Sequence, residues 1–222
     1  ALKSKFFDTA INLTLGSLDP NVKLMAVSKN FDFSAVKKAY ECGQKLFGEN
    51  RVQEAIEKID LAKKEGLKIE WHLIGHLQSN KAKKAAIYFD FIDSVDSLEI
   101  ANKLNNYALS QNKIINIMLE INIANDPKKF GFSKDNVFDA VKNILNLKNL
   151  KLYGLMCIGP LSDENEIRKA FRDMKSLFED LKKSFCPDLV ELSMGMSDDY
   201  KIAIQEGSTI IRIGRGIFGK RT

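Results

Sequence analysis

Val22–Lys29, VKLMAVSK, is a short apolar run rich in strand-forming residues that stops on a lysine. Runs of the same character recur at Lys45–Gly48, Glu70–Gly75, Phe91–Val95, Ile114–Ile121, Leu152–Ile158, Val190–Ser193 and Ile210–Gly214. Between them the apolar residues follow helical spacing. Phe33, Val36 and Tyr40 share one face of Asp32–Cys42, and Leu98, Ala101, Leu104 and Ala108 share one face of Ser97–Ser110. The pattern continues with Val137, Val141, Ile144 and Leu145, and again with Ile167, Phe171, Met174, Phe178 and Leu181. Asp32, Asp96, Ser133 and Ser162 stand where helix N-caps are expected. Eight strands alternating with helices predict an α/β fold, a single (β/α)8 TIM barrel, with an extra helix over Leu2–Leu15. A doubly wound open sheet is the alternative, because counting strands does not show closure.

The chain has 222 residues, four prolines and no long Gly/Ser-rich stretch, so residues 1–222 are expected to form one domain without a linker. Its net charge of +5 is spread along the sequence and does not concentrate into a nucleic-acid footprint. The densest basic cluster, Lys81–Lys84, falls in a helical segment and reads as a solvated face. Cys42, Cys157 and Cys186 are scattered, which argues against a disulfide framework or a zinc site and fits a reducing compartment. The N-terminus lacks a signal-peptide pattern, and no run approaches the ~18 apolar residues that span a bilayer. A cytoplasmic protein is expected, with no membrane partner and no nucleic-acid partner.

In such a barrel the chemistry gathers at the C-terminal ends of the strands. Those ends read Ser28–Lys29, Gly48–Asn50, Gly75–Asn80, Ser193–Ser197 and Arg212–Gly216. An amine at the mouth of the fold, among apolar neighbours, has a lowered pKa, and a neutral amine attacks an aldehyde. Glycines at 195, 214 and 216 allow backbone amides to approach an anion, and the last two strands of barrels commonly hold a phosphate. Closure would set Arg212 beside Lys29. An aldehyde with a phosphate handle and a ring is the ligand this pair suggests, and pyridoxal 5'-phosphate (PLP) fits. Lys29 would form a Schiff base and Arg212 would face the pyridine nitrogen. A guanidinium donates a hydrogen bond but does not readily pass a proton, so the ring would remain a modest electron sink.

AVSK (26–29), FGEN (47–50) with Val52, Gln53 and Glu54, WHLIGHLQSNK (71–81), LSMGMSDD (192–199), GST (207–209) and RIGxxIFG (212–219) carry a resemblance. Together, in this order and over nearly the whole chain, they resemble the pyridoxal phosphate homeostasis protein family. These YggS/PROSC-type proteins are similar to the barrel domain of bacterial alanine racemase. The resemblance implies a fold-type III PLP barrel in which Lys29 is the Schiff-base lysine and Arg212 the pyridine-nitrogen arginine. It also implies that Ser197, Gly214 and Arg215 are phosphate-loop positions and that Asn50 and His76 lie near the cofactor. Arg215 departs from the family pattern, where a small or hydroxylated residue is common.

Other residues have plainer readings. The i, i+4 pair His72 and His76 invites a metal reading, but the two flank a strand-to-loop transition and no carboxylate motif accompanies them, so no metal is expected. His72 reads as a hydrogen-bonded interior residue, Trp71 and the methionines 156, 194 and 196 as packing. Glu49, Asp198 and Asp199 are either acid–base groups or, for the aspartates, helix-start residues. Racemisation needs a base on each face of the substrate carbon. In alanine racemase-like enzymes the second base is a tyrosine supplied by another domain, and the chain ends at Thr222, just past the barrel. Tyr40, Tyr88, Tyr107, Tyr153 and Tyr200 fall in helix or strand patterns. The expected function is PLP buffering and delivery, with dependent apo-enzymes as partners, no robust turnover, and a monomer or weak dimer. A small PLP-dependent amino-acid racemase is the alternative, and a nucleic-acid- or protein-binding module draws only on the mild basic balance.

Overall fold

Alternation along the strands divides the side chains of this chain between two cores. In β1 (Lys23–Val27), Leu24 and Ala26 join the large cluster shared with the helices, while Met25 points the other way. Met25 meets Met118 and Ile210, all but inaccessible, in a second cluster against which Leu46, Ile74 and Phe91 pack. That small cluster occupies one layer of the interior of a closed barrel. The structure is a computed structural model and describes residues 21–219.

After β1 come α1 (Phe33–Glu41), β2 (Leu46–Glu49), α2 (Val52–Lys64), β3 (Glu70–Leu73), α3 (Ala82–Tyr88), β4 (Phe91–Val95) and α4 (Leu98–Ser110). The second half runs β5 (Ile115–Ile121), α5 (Val137–Leu145), β6 (Leu150–Cys157), α6 (Glu164–Ser184), β7 (Glu191–Ser193), α7 (Tyr200–Gln205), β8 (Ile210–Ile213) and α8 (Arg215–Phe218). Each strand pairs in parallel with the next. β8 returns to β1 with Lys23 opposite Ile210 and Ala26 opposite Ile213, which closes the ring and excludes the open sheet. The expected strands and the observed ones agree to within two residues at each end. The helix expected over Leu2–Leu15 lies outside the described residues.

The helices bury the faces their spacing predicts. In α6, Phe171, Met174, Phe178 and Leu181 are buried on the barrel, with Ala170 and Leu177 beside them and Ile167 half-buried at the edge. The caps differ from expectation in three places. Asp32 does cap α1, accepting from the Ala35 amide at 3.1 Å. For α4 the cap is Ser97 rather than Asp96, and for α6 it is Asp163 rather than Ser162. In both, the residue with extended backbone immediately before the first helical turn takes the role, because only there does the side chain reach the open amides. Ser133 serves α5 through its carbonyl, which accepts from the Asn136 and Val137 amides, and the residue at the N-cap position is Asn136.

The interior of the barrel away from the C-terminal ends is polar and tightly paired. His72 is 1% exposed; its Nδ1 lies 2.8 Å from Asp93 Oδ2, its Nε2 3.2 Å from Glu70 Oε1, and its ring stacks on Phe91 at 4.4 Å. Burial alone would drive the proton off, but Asp93 and Glu70 outweigh it and hold the imidazole pKa up at about 9. Nearby, Lys23 pairs with Glu191, whose Oε2 also accepts from Thr209 Oγ1 at 2.6 Å.

Candidate cofactor-binding site

A cavity of about 600 Å3 opens at the C-terminal ends of the strands, within the range of small-molecule sites. Its wall is set by strand alternation. Val27 points inward, and two residues on Lys29 lies on the same side, half-buried at the rim. Phe31 follows, stacked on Phe218 at 5.0 Å. Asn50 extends β2, Ile74 extends β3, and Met156 and Ile158 come from the end of β6. The facing side is Met196, Ser197 and Asp198 after β7, with Arg212, Gly214 and Arg215 at the end of β8.

Arg212 is 3% exposed and fixed at its far end. One guanidinium nitrogen donates to Ser193 Oγ at 2.8 Å and the other to the Cys157 carbonyl at 2.7 Å. Burial draws its pKa below the ordinary guanidinium value, while the neighbouring Cys157, Asp93, Glu120 and Asp199 pull it back up. A guanidinium titrates so high that this leaves it a cation across the accessible pH range. Around it, burial pushes the Cys157 thiol up to about 12 and, with Asp96 adding repulsion, the Glu120 carboxyl up to about 7.

The turn after β7 is tied on both sides. Gly195 has φ +94, and a Cβ there would lie 2.5 Å from Ala203 Cβ, so only glycine lets the chain pass α7 at this point. Its carbonyl accepts from the Arg212 amide at 2.9 Å, and Asp199 Oδ1 accepts from the Met196 amide at 2.5 Å. Ser197 on this turn and Gly214 after β8 both line the cavity. Across the mouth the exposed Asp198 and Arg215 form an ion pair between the β7 and β8 turns.

Of the seven residues the sequence nominates, Lys29, Asn50, Ser197, Arg212, Gly214 and Arg215 line this cavity. His76 does not. Its Nδ1 lies 2.6 Å from Asp96 Oδ2 and its ring stacks on Phe130 at 3.6 Å. Val27, Phe31, Ile74 and Ile158 are lining residues the sequence did not single out; Met156 and Met196 read there as packing and Asp198 as an acid–base or helix-start residue, and all three line the cavity too. Strand alternation carries the signal for Val27 and Ile74; the methionines read as packing from sequence because their type alone does not separate wall from core.

The residues fit a ligand with an aldehyde, an aromatic ring and an anion. The wall offers an amine, a fixed buried cation and a hydroxyl. Asn50 adds a buried Oδ1 that has no hydrogen-bond partner among the described residues, the mark of a wall completed by a bound molecule. The same residues hold no cluster of His, Cys, Asp or Glu placed for a metal ion.

The alanine racemase N-terminal domain family matches residues 11–222. A pyridoxal phosphate homeostasis protein of Haemophilus influenzae is 44% identical over 90% of this chain and 85% of its own length. PipY of Synechococcus elongatus, solved without PLP, superposes with a TM-score of 0.90 at 38% identity, over 96% of this chain and 100% of PipY. PipY with PLP bound gives 0.89 at 36% identity, over the same shares. With a closed eight-stranded barrel, a cavity at its strand ends and relatives matched over most of their length, this chain belongs to the pyridoxal phosphate homeostasis protein family, within the alanine racemase N-terminal domain fold.

Proposed function

We propose that this protein binds PLP at the strand-end cavity and buffers and delivers it, rather than turning over a substrate. Lys29 holds the cofactor as a Schiff base, Arg212 donates to the pyridine nitrogen, and Ser197, Gly214 and Arg215 receive the phosphate. Asn50 completes the wall with its unpaired oxygen. His76 acts at a distance, orienting the rim through Asp96 and Phe130. The observation that carries the reading is the convergence of an amine, a buried guanidinium and the two glycine-bearing turns on one cavity. PLP bound there supplies an electrophilic aldehyde and an electron-accepting ring. Arg212 keeps that ring a weak acceptor, since it donates a hydrogen bond without surrendering a proton.

The partners are PLP and apo-enzymes that take it up. One barrel domain over residues 1–222, a cytoplasmic location and a monomer or weak dimer complete the reading. No described helix is long and apolar enough to cross a membrane. The test is an absorbance spectrum of the purified protein loaded with PLP, before and after borohydride reduction, with the modified lysine mapped by mass. The expected adduct is on Lys29, and Lys29→Ala loses the visible band. An unchanged spectrum in that variant, or an adduct on another lysine, would overturn the reading.

A further inference from the structure

The backbone on both sides of Lys29 is held by one buried cluster that lies behind the strands, outside the cavity. Lys58, on α2, is 4% exposed. Its ammonium donates to the Ser28 carbonyl at 2.8 Å, to Glu49 Oε1 at 2.7 Å and to Glu54 Oε1 at 2.8 Å. Glu49 Oε1 also accepts from Ser28 Oγ at 2.6 Å, and Glu54 Oε1 accepts from the Asn30 amide at 2.5 Å. Residue 28 is thus gripped through its carbonyl and its hydroxyl, and residue 30 through its amide.

The grip falls where the sheet stops supplying one. The Ser28 amide still donates to Gly48 on β2, but the chain then turns, with the Phe31 amide closing back on the Ser28 carbonyl at 3.1 Å. Asn30 sits in the left-handed region at φ 63, which asparagine enters more readily than other non-glycine residues, so the chain turns sharply here. Burying an ammonium with two carboxylates is a costly way to stabilise a helix against a sheet, for which apolar packing serves as well or better. Glu49 is wholly buried, and its Oε2 has no partner among the described residues, so the cluster is tolerated rather than optimised for stability.

We propose that Lys58, together with Glu54, is a positioning residue that fixes the turn carrying Lys29 so that its amine meets the cofactor aldehyde. The proposal rests on the PLP-binding reading above and deepens it. In the step concerned, the Lys29 amine adds to the aldehyde carbon. A C=N bond replaces the C=O bond, and the carbonyl oxygen leaves as water with both amine protons, with no redox change. Lys58 and Glu54 act through the backbone of residues 28 and 30.

The test compares PLP with pyridoxamine 5'-phosphate, which keeps the ring and phosphate but carries an amine in place of the aldehyde and cannot form the imine. Glu54→Ala frees the Asn30 amide and leaves the Lys58–Glu49 pair intact. The paired change Glu49→Gln with Lys58→Met removes both buried charges together. In each, PLP affinity is expected to fall about tenfold or more, the weight of a charge-assisted hydrogen bond. Pyridoxamine phosphate affinity and thermal melting of Glu54→Ala should shift little. Equal losses for both ligands, or no loss for PLP, would overturn the proposal. If the paired variant does not fold, Glu54→Ala alone decides. An adduct that never forms on Lys29 in the unaltered protein is a separate result: it sinks the PLP reading itself and takes this proposal with it.

Discussion

Arg215 and Asp198 show how a single departure from a family pattern acquires a physical meaning. From sequence, Arg215 is only an unusual residue at a phosphate position; in the structure its side chain is paired with Asp198 across the cavity mouth. A phosphate arriving there competes with the carboxylate for the guanidinium. Asp198→Asn is therefore expected to tighten PLP binding roughly two- to fivefold, the range of an exposed ion pair, and Arg215→Ala to weaken it. Titration of the visible band checks both, and a weaker Asp198→Asn complex would show that Arg215 does not reach the phosphate. His72 offers a second expectation. Its folded pKa, about 9, stands above the ordinary 6.5, so its contribution to stability is full below about pH 6.5 and is lost as pH rises through about 9. Urea unfolding at pH 6.5 and 9.5 should differ by no more than about 3 kcal/mol, and His72→Gln should flatten that difference. The lysine and arginine of the cavity were legible because strand ends can be read from sequence. The Lys58 cluster was not, since Glu54 and Lys58 read as an ordinary i,i+4 helix pair and their meeting with Ser28 and Asn30 depends on how α2 packs.

Strands and helices were legible to within a residue or two because their periodicities are set by burial, which acts over many residues at once. The caps at α4 and α6 were misplaced by one residue, as two polar residues stand side by side and the choice depends on backbone angles. The turns between elements are where glycine carries information. A Cβ at Gly75 would collide with the Asn50 carbonyl oxygen and lie 2.8 Å from its Cα, so the extensions of β2 and β3 pass in direct backbone contact. Gly75→Ala is expected to cost about 1–3 kcal/mol by denaturant unfolding and to weaken PLP binding as well, because the same shift moves Asn50. A stability loss with unaltered affinity would separate Asn50 from the site.

Over the entire barrel, ligand binding and folding are linked. Since the cavity wall is drawn from β1, β6, β8 and the turns after β2, β3 and β7, unfolding any of these dismantles it. Saturating PLP at 100 times its dissociation constant is expected to add about 2.7 kcal/mol, seen as a rise in melting temperature that grows with PLP concentration and is absent in Lys29→Ala. Closure itself could not be read from the sequence, because pairing of the last strand with the first is a property of the sheet's curvature rather than of either segment. The plug of Met25, Met118 and Ile210 beneath the cavity has one more consequence. Among the described residues it makes the cavity a blind well that opens at the strand ends. A molecule seated there therefore has to depart before a second can take its place.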